Sequence, residues 1–157
     1  MQVVTPALRT ADGERLATVL LAGPGDTCVV LAHGFSGSTA TPALRRVAEG
    51  LARHASVLAY DARGHGSSTG RTTLGDREVL DVVARVAPLP LLVVHGDRDG
   101  YFAVSHAQAL AAAAGEPVEL WIEPGFAHAE SGAGPALVDR LGARLVELSR
   151  VRSPSRA

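Results

Sequence analysis

Four stretches of this chain gather histidine, aspartate and serine among glycines. They are His33-Gly34-Phe35-Ser36-Gly37, Asp61-Ala62-Arg63-Gly64-His65-Gly66-Ser67-Ser68, His95-Gly96-Asp97-Arg98-Asp99 and Gly125-Phe126-Ala127-His128. Small residues in such places let backbone N–H groups approach a ligand. An imidazole serves as a general base when a carboxylate accepts from Nδ1–H and leaves Nε2 free. Asp99 and His128 are separated by room for one crossover helix and one strand. They could therefore sit at the same ends of neighbouring strands, about 4.8 Å apart. Asp97 is the alternative acid if the loop register differs by two. A nucleophilic hydroxyl would complete the set. Ser68 lies in the string Gly66-Ser67-Ser68-Thr69-Gly70, and Ser36 lies in the first of the four loops.

The elements that must position these residues read as an alternation of strands and helices, the pattern of a mostly parallel sheet with helices on its faces. Strands are expected around Val3–Thr10 and Leu16–Ala22, with Asp12-Gly13 as a hairpin turn between them. Thr27–Ala32 is short and continuously apolar, as a buried strand is. Thr41-Pro42 opens a helix with an N-cap and a first-turn proline. Its residues Ala43, Leu44, Val47, Ala48, Leu51 and Ala52 keep helical spacing. Ser56–Tyr60 is the next strand, and a helix follows from about Asp76 to Ala87. Pro88-Leu89-Pro90 stops it. Leu91–Val94 reads as a buried strand, Val104–Ala114 as helix and Val118–Glu123 as the last strand. A closing helix from Pro135 aligns Leu137, Val138, Leu141, Leu145 and Leu148. One domain is expected over residues 3–148, with 149–157 a loose tail.

The 157 residues are enough for one domain with a core, and 46% hydrophobic against 20% charged is ordinary for a globular protein. A net charge of −1 gives no electrostatic ground for nucleic acid or an anionic membrane as partner. The one cysteine, Cys28, excludes an internal disulfide and a multi-cysteine zinc site, and in its apolar run it reads as a buried thiol. No basic leader opens the chain, and no apolar run nears the roughly 20 residues that span a bilayer. A cytoplasmic setting is the expectation. Gly23-Pro24-Gly25 lacks the lysine and context of a phosphate loop. His33, His65, His95, His128, Asp97 and Asp99 contain no i, i+4 ligand pair, so neither a metal nor another cofactor is expected.

Taken together and in this order, the four loops resemble those of the α/β-hydrolase superfamily, especially its small esterase- and lipase-like members. The resemblance runs from about Val3 to Leu148. It implies a doubly wound α/β fold and hydrolysis of an ester-like small molecule by Ser-His-Asp chemistry. In the family's terms, His33-Gly34-Phe35 is similar to the oxyanion loop, with the Phe35 N–H binding developing negative charge. Asp99 falls at the acid position and His128 at the base.

One part of the pattern is missing. In the family, the helix after the Arg-Gly-His-Gly loop leads to a strand bearing a glycine-x-serine-x-glycine elbow. Here that helix runs through Pro88-Leu89-Pro90 directly into the acid strand. The fold is therefore expected to be shortened and the catalysis impaired or lost. Ser68 fits the elbow formula but has no apolar strand before it, so a polar loop is the plainer reading. Ser36 could equally serve only backbone hydrogen bonds.

The rival readings are a weak esterase using Ser36 or Ser68, and a non-catalytic remnant that binds a small molecule or a partner. In the second, an unpaired strand edge would support a homodimer. The acid strand is expected to slide over and pair with Thr27–Ala32. Among the remaining residues, His54 and His106 are expected to face solvent, and Asp61 to order its own loop, for instance with Arg63.

Overall fold

The structure is a computed structural model, and it describes residues 3–34, 37–71 and 83–151. Contacts divide the chain into two compact units, Met1–Thr73 with Gly134–Ala157, and Leu74–Ala133.

The first unit is built on a four-stranded sheet. Its strands are β1 (Val3–Val4), β4 (Thr18–Leu21), β6 (Ser56–Tyr60) and β5 (Cys28–Ala32), side by side in that order. The pair β5–β6 is parallel, with Val29 opposite Val57, whereas β4 runs antiparallel to β6, with Leu21 opposite Val57. The first expected strand pair is thus broken into shorter pieces. A separate two-stranded ribbon, β2 (Leu8–Arg9) and β3 (Arg15–Leu16), holds the expected turn. Gly13 there has φ +93°, which only glycine adopts without strain.

Helix α1 (Pro42–Leu51) begins with its proline as expected, and Leu44, Val47, Ala48 and Leu51 on its apolar face are buried. Thr41 occupies the N-cap position without a side-chain cap, because its hydroxyl accepts from the Ser38 N–H at 3.1 Å. The long closing helix lies against α1, and its Val138 is buried. That helix continues to Val151, so Ser149–Val151 of the expected tail are helical, and Ser149 Oγ lies 2.9 Å from Thr27 Oγ1. Residues 152–157 lie outside the described ones.

The second unit holds β7 (Leu91–Gly96) and β8 (Val118–Glu123), parallel neighbours with Leu91 opposite Val118 and Gly96 opposite Glu123. Helix α2 (Val104–Ala113) crosses between them, and the one-turn helix α3 (Ala129–Gly132) follows the last loop. In chain order the closing helix is then α4 (Pro135–Val151). Most of the expected helix from Asp76 to Ala87 lies outside the described residues. Among those described, no strand lies between Tyr60 and Leu91.

Expectations about strand pairing and burial are corrected. Among the described residues β7 pairs with β8 alone and β5 with β6 alone, so the expected pairing of the acid strand with Thr27–Ala32 is not found there. The penalty that would drive closure applies to buried backbone groups. On β5, Cys28, Val30 and Ala32, which share one face of the strand, are exposed, Val30 by 64%, so the expected buried strand is open on that face. The same geometry corrects Cys28, whose thiol is exposed and not buried. Residues 91–95 are likewise half-buried. Continuous apolar sequence marks a strand that is central in a complete sheet, and among the described residues each of these strands pairs on one side only.

Candidate active site

The register of β7 and β8 sends their carboxyl-terminal loops out side by side, and the two loops are then stitched together. Asp97 N–H donates to Glu123 O at 3.2 Å and Arg98 N–H to Phe126 O at 3.1 Å. Asp97 Oδ1 accepts from the Gly125 N–H at 2.6 Å. Gly96 permits this approach, because a Cβ there would stand 2.0 Å from Phe126 O.

On this scaffold His128 Nδ1 lies 2.9 Å from Asp99 Oδ2. The other carboxylate oxygen, Oδ1, accepts from the N–H groups of Tyr101 at 2.8 Å and Phe102 at 3.0 Å. An ionised carboxylate can only accept, so the Nδ1–H tautomer is selected and the Nε2 lone pair is left available. Within this unit, no described residue forms a hydrogen bond with Nε2. The Asp99 side chain is 4% exposed and that of His128 40%, so the acid is enclosed and the imidazole reachable. Burial alone would push the Asp99 carboxyl upward. The bond from His128 and the two amides outweigh it and hold the group at about 2, against an ordinary 3.8.

Two aromatic rings that sequence reasoning did not single out flank the imidazole. The ring centroids of Tyr101 and Phe102 lie 4.7 and 5.8 Å from that of His128. The available signal was the Asp99-Gly100-Tyr101-Phe102 string, since aspartate commonly accepts from amides two and three residues on. His95 donates through Nε2 to Phe102 O at 3.0 Å, which secures the end of the same loop. Asp97 holds the neighbouring loop in place of orienting the base.

The first unit carries the other two loops. Phe35 and Ser36 lie outside the described residues. The loop that contains them is anchored at His33, whose Nδ1–H donates to Gly34 O at 2.6 Å while Nε2 accepts from the Ala62 N–H at 2.9 Å. It is anchored again at Asp61, which is 3% exposed. Asp61 Oδ1 accepts from the Thr39 N–H at 2.6 Å and Oδ2 from the Ser67 N–H at 2.9 Å. Burial would raise this carboxyl too, but those amides, with His33 nearby, hold it below its ordinary value. Gly66 has φ +50°, and a Cβ there would meet Asp61 Oδ2 at 2.1 Å.

Asp61 therefore orders its loop, as expected, but not through Arg63, whose guanidinium pairs with Asp12 on the neighbouring turn. Ser68 is a strut. Its hydroxyl donates to Asp61 O at 2.6 Å and accepts from the Ala17 N–H at 2.8 Å. His54 is half-buried and not solvent-facing, with Nε2 3.1 Å from Asp139 Oδ1 on α4. His106 is exposed. Among the described residues no cluster of His, Cys, Asp and Glu could hold a metal. No helix among them is long and apolar enough to cross a membrane.

A model of the alpha/beta hydrolase family matches residues 29–156, and the chain belongs to that family. Solved structures with the same fold include the Pyrococcus furiosus esterase Pf2001, at 18% identity and TM-score 0.72 over 96% of this chain and 90% of that one. Est1E from Butyrivibrio proteoclasticus, solved with ferulic acid bound, aligns at 14% identity and TM-score 0.70 over 98% of this chain and 100% of that one. The esterase domain of a Rhodothermus marinus protein aligns at 18% identity and TM-score 0.69 over 96% and 99% of the two chains. No curated protein matches the chain. The fold is that of an α/β-hydrolase in a shortened, 157-residue version.

Proposed function

We propose that this chain is a hydrolase of the serine-esterase type in which the acid–base half of the triad is assembled and the nucleophile half is not. Asp99 holds His128 by Nδ1–H, and Nε2 is the base that would deprotonate a hydroxyl or a water attacking an ester carbonyl. The Phe35 N–H is the proposed oxyanion donor. One observation carries the reading: the Asp99–His128 bond at 2.9 Å stands at the mouth of its loops with Nε2 open, while the Ser68 hydroxyl is spent on two backbone groups. In a serine protease, loss of the nucleophile lowers turnover on the order of 10⁶-fold and leaves roughly 10³–10⁴ over water. Ordinary alkyl-ester hydrolysis is therefore expected to be slow.

Fluorophosphonate labelling with intact-mass detection tests this directly. The expected result is no adduct under conditions that label an ordinary esterase. An adduct that disappears in Ser36→Ala or Ser68→Ala would identify a working serine and end the reading.

A second reading, a remnant that binds a small molecule or a partner, has two observations in its favour. A cavity of about 320 Å³ lies between α1 and the sheet of the first unit, lined by Val19, Leu21, Leu44, Ala48 and Ala59 with Arg45 nearby. Strand β5, which among the described residues pairs on one side only, could also pair with a second copy of the chain. A strictly monomeric species on size-exclusion chromatography removes the dimer.

A further inference from the structure

We propose that the Asp99–His128 pair is itself an acyl-transfer site, with His128 Nε2 as the nucleophile and activated aryl esters as the substrate class. The argument uses only residues of the second unit, so it stands or falls apart from the fate of the serine. Histidine is a competent nucleophile when its lone pair is exposed and its other nitrogen is fixed. Both conditions hold here: Nδ1–H is committed to Asp99 Oδ2, and 40% of the imidazole side chain is exposed.

The leaving group sets the substrate class. Attack by Nε2 on the ester carbonyl forms a C–N bond and a tetrahedral intermediate. That intermediate expels whichever group leaves more readily. An alkoxide is a worse leaving group than imidazole, so an alkyl ester reverts, whereas an aryloxide departs with the electron pair of the broken C–O bond. The acylimidazolium left behind is positively charged, and the Asp99 carboxylate on Nδ1–H stabilises it. Water then adds to the acyl carbon, the C–N bond breaks and its electron pair returns to Nε2. One ester and one water become one carboxylic acid and one phenol, with protons exchanged through solvent.

The surroundings suit an aryl group. Tyr101 and Phe102 are 79% and 52% exposed, and their rings border the imidazole. Outward aromatic faces of this kind stack on a planar leaving group. They are held by the same backbone amides that fix Asp99, so the apolar platform and the oriented nucleophile share one loop.

The test uses p-nitrophenyl acetate and the full chain carrying Cys28→Ser, which removes the one thiol. All of the fifteen Lys and Arg residues are arginine, so no lysine amine competes for the acyl group. The expected result is saturable release of p-nitrophenol, about tenfold or more faster than an equal concentration of free imidazole. Rapid quenching should give an acetyl adduct on the peptide containing His128, labile to hydroxylamine. His128→Ala and His128→Gln, each checked for folding by circular dichroism, should fall to the free-imidazole rate. Replacing Tyr101 and Phe102 together with alanine should raise KM more than it lowers kcat. A rate that survives in a folded His128→Gln variant, or an adduct on a serine or another histidine, overturns the proposal. Fluorophosphonate reactivity at a serine would overturn the earlier reading and leave this one standing.

Discussion

Asp61 and Asp99 each follow a strand of a parallel pair, each accept two backbone N–H groups and each are almost enclosed. They differ in where the network ends. Both oxygens of Asp61 terminate in amides, of Thr39 and Ser67, so its carboxylate fastens two loops and has nothing further to give. Asp99 places both of its amides on one oxygen, which frees the other for the imidazole of His128. The imidazole then carries the network outward to an open lone pair. A polar cluster closed on backbone groups fastens loops, whereas one that ends on an exposed imidazole leaves a titratable ring at the surface. The sequence already separates the two, with Asp99 expected to meet the imidazole and Asp61 to order its own loop, but it does not show how the oxygens of each are shared out.

The comparison is tested most strongly at Asp61. Asp61→Ala leaves two amide N–H groups at a nearly enclosed position without acceptors, at about 1–3 kcal/mol each. Denaturant unfolding should show a loss of roughly 3 kcal/mol. Because the folded Asp61 carboxyl is held below its unfolded value, its contribution is present above the ordinary carboxylate range. It is lost as pH falls through the folded value, so the variant should show a shallower acid limb. An unchanged midpoint would mean that the two loops are held together by other contacts.

At Asp99 the expected effect is smaller on stability and larger on the ring. Asp99→Ala should remove the preference for the Nδ1–H tautomer of His128, read from the ¹⁵N shifts of the imidazole, and should lower aryl-ester turnover. The folded carboxyl sits at about 2 against an ordinary 3.8. Its stabilising contribution is thus complete above about 4 and disappears as pH drops toward about 2. Persistence of the Nδ1–H tautomer in the variant would show that another group orients the ring.

The smallest effect is expected at Ser68. Ser68→Ala removes two hydrogen bonds of a half-buried strut, about 1 kcal/mol, and should leave p-nitrophenyl acetate turnover unchanged. A drop in turnover with stability intact would move Ser68 from the architectural to the chemical side of the comparison.

The alternation of apolar runs with amphipathic ones located β5, β6, β7, β8, α1, α2 and α4 to within a residue or two at most ends. Glycine and proline punctuation found the turn at Gly13 and the start of α1. The pairing of Asp99 with His128 was legible because each follows its strand by a short loop, and parallel register brings such loops together. Tyr101 and Phe102 were not legible as neighbours of the imidazole, since nothing in their spacing says which way a loop turns its rings. Nor was the exposure of Cys28 and Val30. Apolar residue types record the need for burial and do not supply the strand that would provide it.

By itself, then, the sequence determined which segments are strands and helices, which loops follow them and which residue types those loops offer. These follow from local propensity and periodicity, which act over a few residues. Only the tertiary structure decided which aromatic rings meet the imidazole, which serine is tied to the backbone and which apolar residues lie exposed. Those depend on register and on hydrogen-bond partners tens of residues away, which local propensity does not encode.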